Sequence, residues 1–197
     1  MHHRIGILGG SFDPIHSAHL AAADIACEKL QLTSVIFVPA GIPYHRESTI
    51  ASATQRLHMT EIATDGDDRF AVSSVDVDRV GDTYSRDTIR SLKAAFALSN
   101  PHDTADWFFI LGADAFESFG SWREPESIIA ECSLVVISRP GIEHPKNQQF
   151  PAEFIDVPGW HISSTEIRER LSAGESVTGL LPEAVIEFIK DNDLYTH

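Results

Sequence analysis

The chain has 197 residues, 43% hydrophobic and 22% charged, an ordinary balance for one globular domain able to bury a full core. Its formal net charge of −14 would repel a phosphate backbone, so bulk binding of DNA or RNA is disfavoured. Apolar runs are strand-sized, no basic region precedes an apolar stretch, and Cys27 and Cys132 lack metal-ligand spacing; the reading expects no membrane span, signal peptide, disulfide framework or zinc site, and a cytoplasmic location.

Taken in order, RIGILGGS at 4 to 11 reads as a buried strand ending in a glycine turn. Ala18 to Leu32 carries a helical stripe of Leu20, Ala23, Ile25, Ala26 and Leu30, and SVIFVP at 34 to 39 reads as a second strand. A helix over Ala53 to Ala63 precedes the strand-like RFAVSSVDVD at 69 to 78. Another helix runs from Ser85 to Leu98, followed by two buried strands in DWFFILGA at 106 to 113 and SLVVISRP at 133 to 140. Gly141 to Pro151 reads as a surface loop. The end differs: SSTEIRERLSAG and PEAVIEFIKDNDLY form two amphipathic helices separated by Gly179, with capping signals in Ser163 with Glu166 and in Pro182. The pattern predicts a single α/β domain over 1–197, Rossmann-like, with a parallel sheet covered by helices on both faces and a C-terminal helical tail over approximately 161–197.

The chemistry begins at GGSFDPIHSAHL, residues 9 to 20. A strand ending in Gly9 and Gly10 lets a phosphate approach backbone N–H groups, and the Ser11 hydroxyl adds a donor. His16 and His19, three apart at a helix start, can face one side, where the positive end of the helix dipole also favours an anion. The alternatives are a plain turn, solvated or core histidines, and a metal site, the last lacking carboxylates in a ligand pattern; Asp13 nearby reads equally as a turn cap. Only 15 Lys and Arg are available to make a polyphosphate site locally positive, so their placement is informative.

GGSFDPIHSAHL resembles the (H/T)xGH signature of the nucleotidyltransferase superfamily, and ISSTEIRERL at 162 to 171 resembles its ISSTxxR partner. Further resemblance to the bacterial nicotinate mononucleotide adenylyltransferases is carried by GIPYHR at 41 to 46, RVGDTYSRDTI at 79 to 89, FILGADAFESFGSW at 109 to 122, VISRPG at 136 to 141 and the closing FIKDNDLY, nearly the whole chain. Three departures stand out: Ala18 replaces the glycine of HxGH, GIPYHR replaces a PPHK-like segment, and GDTYSRDT replaces GPSYTxDT with Ser85 keeping the hydroxyl.

The resemblance implies transfer of AMP from ATP to a small nucleotide, most closely nicotinic acid mononucleotide, giving deamido-NAD and pyrophosphate by in-line displacement. It assigns His16, His19 and Arg168 to catalysis, and Gly9, Gly10, Ser11, Phe12, Ser163 and Ser164 with them to ATP. The helix that starts at Ser163 and Ser164 also offers free N–H groups and a dipole to phosphates, beside the plainer reading of a capping box. Ser85, Gly112, Asp114, Trp122, Tyr44, Arg46 and Arg139 are assigned to the acceptor nucleotide, with a core anchor (Trp122), a helix cap (Asp114) and a solvated strand end (Arg139) as the competing readings. Mg²⁺ is implied, carried mainly by ATP phosphates, with no protein ligand named. Other acceptors (nicotinamide mononucleotide, phosphopantetheine), cytidylyl transfer and a non-catalytic adenylate-binding module are the alternatives, and a homo-oligomer is left open.

Overall fold

The computed structural model describes residues 1–43, 49–138, 149–157 and 162–196, the side chain of residue 43 excepted. Its elements in chain order are β1 (His2–Gly10), α1 (Ser17–Leu30), β2 (Ser34–Pro39), β3 (Ile42–Pro43), α2 (Ala53–Thr64), β4 (Phe70–Val72), β5 (Asp82–Thr83) and α3 (Ser85–Ser99). There follow β6 (Thr104–Gly112), α4 (Ala113–Glu117), a 3₁₀ turn (Phe119–Ser121), α5 (Pro125–Glu131), β7 (Ser133–Ser138), β8 (Ala152–Asp156), α6 (Ser164–Ser172) and α7 (Glu183–Asp191). Six strands pair in parallel in the order β4-β2-β1-β6-β7-β8, and β3 and β5 form a small parallel pair of their own. The expected α/β architecture is therefore present.

Period-two alternation sorts the strand residues onto two apolar faces. Leu8, Phe37, Phe108, Ile110 and Val135 join one cluster with Ala23 and Cys27 of α1, Met59 of α2, Ile167 of α6 and Val185, Ile186 and Ile189 of α7. Ile7, Trp107, Phe109, Leu111 and Val136 join the other, with Ile89 and Leu92 of α3 and Ile128 of α5. The C-terminal helices thus complete one face of the sheet. Each of the three buried aliphatic side chains of α7 contributes about 1.5–3 kcal/mol by leaving water.

One expectation needs correction, and another lies mostly outside the described residues. The strand predicted over 69 to 78 ends at Val72: Ser73 still donates its N–H to the Phe37 carbonyl, but Ser74 Oγ then bonds the Asp78 carboxylate (2.6 Å) and Asp78 N–H the Ser74 carbonyl, so the chain turns. The polar member of that alternation, Asp76, is the buried one, and its carboxylate takes the Thr88 hydroxyl at 2.8 Å. The loop expected over Gly141 to Pro151 lies mostly outside the described residues, yet Phe150 is buried against Phe119 with ring centroids 5.0 Å apart.

Gly41 marks where the segment after β2 crosses the 73–81 segment. A Cβ there would fall against the Asp76 carbonyl oxygen far inside van der Waals contact, and backbone cannot swing aside as a side chain can. Gly41→Ala is expected to lower the unfolding free energy by about 1–3 kcal/mol in urea titration; an unchanged midpoint would show that the crossing is loose.

Candidate active site

The central strands β1 and β6 are neighbours whose connections leave in opposite directions, β1 toward β2 and β6 toward β7. In such a sheet a crevice opens at the carboxyl ends of the strands. It is bordered here by Gly9 and Gly10 on β1 and by Gly112 on β6. Gly9 and Gly112 are exposed, and a Cβ on Gly112 would meet nothing within 4 Å. Gly10 is glycine for another reason: a Cβ would stand 2.9 Å from the Phe12 ring, which folds back beneath it. Phe12, placed among the ATP contacts by resemblance, has a backbone φ of 48° and is 1% exposed, so its ring is a wedge in the core, edge-on to His19 at 5.0 Å.

Helix α1 begins at the next feature. His16 is its N-cap residue and His19 its third residue; the His16 N–H donates to His19 Nδ1 at 3.2 Å, and the two imidazoles stack with centroids 3.7 Å apart. Because His19 Nδ1 accepts, a neutral His19 carries its proton on Nε2. His16 is buried, and burial pushes its pKa down to about 4, so at neutral pH it is an uncharged ring. Among the described residues its Nδ1 has no hydrogen-bond partner. An orphaned buried nitrogen costs about 1–3 kcal/mol, which a ligand contact would relieve.

Helix α6 closes over the turn between β1 and α1. Ser163 caps it, its Oγ accepting the Glu166 N–H at 3.1 Å, while the Glu166 carboxylate pairs with Arg170 instead of completing a capping box. Ser164 Oγ donates to the Pro14 carbonyl (3.0 Å), and Arg168 donates to the Asp13 carbonyl (2.8 Å) and Thr165 Oγ1 (3.2 Å). The two expected motifs, 150 residues apart, are thus physically clasped.

The clasp rests on a buried network that sequence reasoning did not find. Asp13, read as a turn cap, caps something remote: its carboxylate accepts the N–H groups of Ile50 (2.8 Å) and Ala51 (3.1 Å) and the hydroxyl of Tyr195 (2.7 Å). Arg56 is fully buried, and its guanidinium donates to the carbonyls of Ser11, Ala51 and Gly41. Burial lowers the Arg56 pKa and the Asp13 charge opposes that shift. One signal was available: Arg56 stands three residues before Met59, on the buried stripe of α2.

A second station lies at the start of α3. Thr83, Tyr84, Ser85, Trp122, Arg123 and Ile128 line a pocket of about 60 Å³, which brings Ser85 and Trp122 together as expected. Ser85 opens α3, so the first free N–H groups and the positive end of that helix border the pocket. Trp122 meets Phe109 and Phe119 (centroids 6.3 and 5.4 Å), so it is anchored in the core as well as lining the pocket. Arg123, not anticipated, lays its guanidinium over the Tyr84 ring at 4.5 Å. Asp114 is exposed in the first turn of α4, directly after the end of β6. Tyr44, Arg46 and Arg139 lie outside the described residues.

A family model described as cytidylyltransferase-like matches residues 7–170. The chain belongs to this family. Among its relatives, the probable nicotinate-nucleotide adenylyltransferase of Acidothermus cellulolyticus is 41% identical over 196 residues, covering 98% of this chain and 94% of that one. The protein of the same name from Dictyoglomus thermophilum is 40% identical over 200 residues, covering 98% and 99%. Solved structures of Plasmodium falciparum nicotinic acid mononucleotide adenylyltransferase, complexed with APC and with NaAD, align with TM-scores of 0.76 and 0.79 at 23% and 22% identity, covering 98% of each chain. At that identity they speak for the fold. The resemblance read from the two motifs is borne out for this cytidylyltransferase-like chain.

His16 supplies a pH test. Its folded pKa lies below the ordinary 6.5, so the unfolded chain binds the extra proton between pH 6.5 and 4. Its stabilising effect is complete above 6.5 and is lost as pH falls toward 4, amounting to roughly 3 kcal/mol. Urea titrations from pH 7.5 to 4 are expected to show this steeper loss in the wild type than in His16→Gln; parallel curves would place His16 in a wetter site.

Proposed function

We propose that this chain transfers the AMP of ATP to nicotinic acid mononucleotide, releasing pyrophosphate and forming deamido-NAD. The observation that carries the reading is the pairing, along one crevice, of an imidazole and N–H cradle clasped by Arg168 with a pocket that joins Ser85 and Trp122. Relatives about 40% identical over nearly the full length, named for this activity, support it.

A phosphate oxygen of the mononucleotide attacks the α-phosphorus of ATP, and the bond from that phosphorus to the bridging oxygen of pyrophosphate breaks. No covalent intermediate with the protein is needed, so the residues position reactants and absorb charge. His19 presents its Nε2 proton to an α-phosphate oxygen, fixed by the bond that its Nδ1 accepts from His16. His16, uncharged at neutral pH, serves as a hydrogen-bonding ring and not as a cation. Positive charge comes from Arg168 and from the N-termini of α1 and α6, which suit the β and γ phosphates together with Ser11, Ser163, Ser164 and the amides around Gly9 and Gly10. The acceptor's pyridine ring stacks on Trp122, its carboxylate takes the first N–H groups of α3 and the Ser85 hydroxyl, and Asp114 takes a ribose hydroxyl. Tyr44, Arg46 and Arg139 complete the acceptor site in this proposal.

Magnesium fits as a passenger of the nucleotide. The cradle offers N–H and O–H donors, which suit phosphate oxygens, and the described residues hold no group of three His, Cys, Asp or Glu able to chelate an ion. When bound, Mg²⁺ neutralises polyphosphate charge and favours departure of pyrophosphate.

Pyrophosphate release with nicotinic acid mononucleotide is expected to exceed that with its amide by about tenfold or more, because an amide forfeits charge-assisted hydrogen bonds. Comparable rates would discard the carboxylate pocket. His19→Ala is expected to lower kcat by about 10²–10³-fold with an unchanged circular dichroism spectrum; a variant of near-normal rate would remove His19 from its role.

A further inference from the structure

The turn between β1 and α1 is held from outside at three carbonyls and one carboxylate. The Ser11 carbonyl takes Arg56, the Asp13 carbonyl takes Arg168 and the Pro14 carbonyl takes the Ser164 hydroxyl. The Asp13 side chain takes the N–H groups of Ile50 and Ala51 and, on Oδ1, the Tyr195 hydroxyl. Asp13 therefore grips the C-terminal tail with its carboxylate and Arg168 with its carbonyl.

Tyr195 is placed for this purpose at some local cost. It is 3% exposed and adopts a left-handed φ of 62°, two residues after Asp193 at φ 50°. Non-glycine residues in that region are uncommon and persist where the surrounding structure holds them. The tail is docked by Ile186 and Ile189 of α7 in the same cluster as Tyr195, so the ring is delivered to Asp13 by packing from the far end of the chain. Burial, then the bond to Asp13, raises the pKa of the phenol, which stays a donor throughout the working pH range.

We propose that Tyr195 is a positioning residue for adenylyl transfer: its hydroxyl, acting through Asp13, fixes the turn against which Arg168 and the stacked His16 and His19 are aligned. The proposal rests on the nucleotidyl-transfer reading of that site. A hydroxyl that merely stabilised the fold would change the melting temperature and leave the transition state untouched.

The test is a double-mutant cycle of Tyr195→Phe and Arg168→Ala, read by pyrophosphate release under saturating ATP and Mg²⁺ with the concentration of nicotinic acid mononucleotide varied. Tyr195→Phe is expected to lower kcat about tenfold, the loss of one hydrogen bond's worth of alignment, with the acceptor KM changed less than about twofold. In the Arg168→Ala background the same substitution is expected to have almost no further effect, because the two act through one residue. Leu134→Val, in the cluster on the opposite face of the sheet, is expected to lower stability while keeping kcat. Asp13→Asn supplies a second arm and is expected to reproduce the split between kcat and KM. Additive losses in the cycle, or full kcat in Tyr195→Phe, would overturn the proposal. If the wild type releases no pyrophosphate with any acceptor, the proposed function falls by itself. The cycle is then read by titration with a non-hydrolysable ATP analogue, where non-additive affinity losses support the positioning role and additive ones reject it.

Discussion

A carboxylate and a guanidinium taken out of water must find compensation inside the protein, and Asp13 and Arg56 meet that demand by binding main chain from four places. Arg56, on α2, reaches the carbonyls of Ser11, Ala51 and Gly41, while Asp13 reaches the amides of Ile50 and Ala51 and the Tyr195 hydroxyl. Breaking such a buried set by removing one partner leaves an uncompensated charge, so the arrangement is close to all-or-none. The turn after β1, the approach to α2 and the C-terminal tail are consequently one unit. The geometry of the cradle follows from it: with the carbonyls of Ser11, Asp13 and Pro14 occupied by side chains, acceptors are withdrawn from the place where phosphates would sit.

Under the proposed function, this is how a chain of net charge −14 offers a site to polyanions. The cradle relies on oriented dipoles, the N-termini of α1 and α6, and only modestly on formal charge. His16 is kept neutral by burial, and Arg56 spends its donors on the protein. Among the described residues, Arg168 keeps donors beyond the two that it gives to the Asp13 carbonyl and Thr165. Such a cradle needs little formal charge of its own because backbone dipoles are already fixed in place and cost no reorganisation when a phosphate arrives.

The second station is built by a different device. Helix α3 aims its free N-terminal amides at a small pocket whose opposite wall is Trp122, rooted in the core by Phe109 and Phe119. Asp76, buried beside α3, receives the hydroxyl of Thr88, whose one proton is shared with the more distant Tyr84 carbonyl, so the first turn of the helix is stiffened from behind. The Gly41 crossing brings the Asp76 segment against the chain that leaves β2. The two stations share neighbours in the fold without sharing residues.

The order of strands and helices, the glycine turn, the His16 and His19 pair and the Ser163 cap were legible in the sequence, because each depends on residues within a turn or two of one another. Continuous apolar runs such as DWFFILG announce a strand buried on both faces wherever it is placed. The 69 to 78 segment misled because its alternation is genuine but places a carboxylate, Asp76, inward, where Thr88 receives it. Local pattern cannot foresee a partner supplied from elsewhere. The same reason hid Arg56 and Tyr195 as members of a buried network. Their meaning comes from Ser11, 45 residues away, and from Asp13, 182 residues away. Sequence by itself therefore determined the long strands and helices and which motifs could meet a nucleotide, while the short elements β3, β5, β8, α4 and α5 escaped it; only the tertiary structure decided which charges go inside, since the cost of burying a charge depends on partners that the chain brings close only when folded.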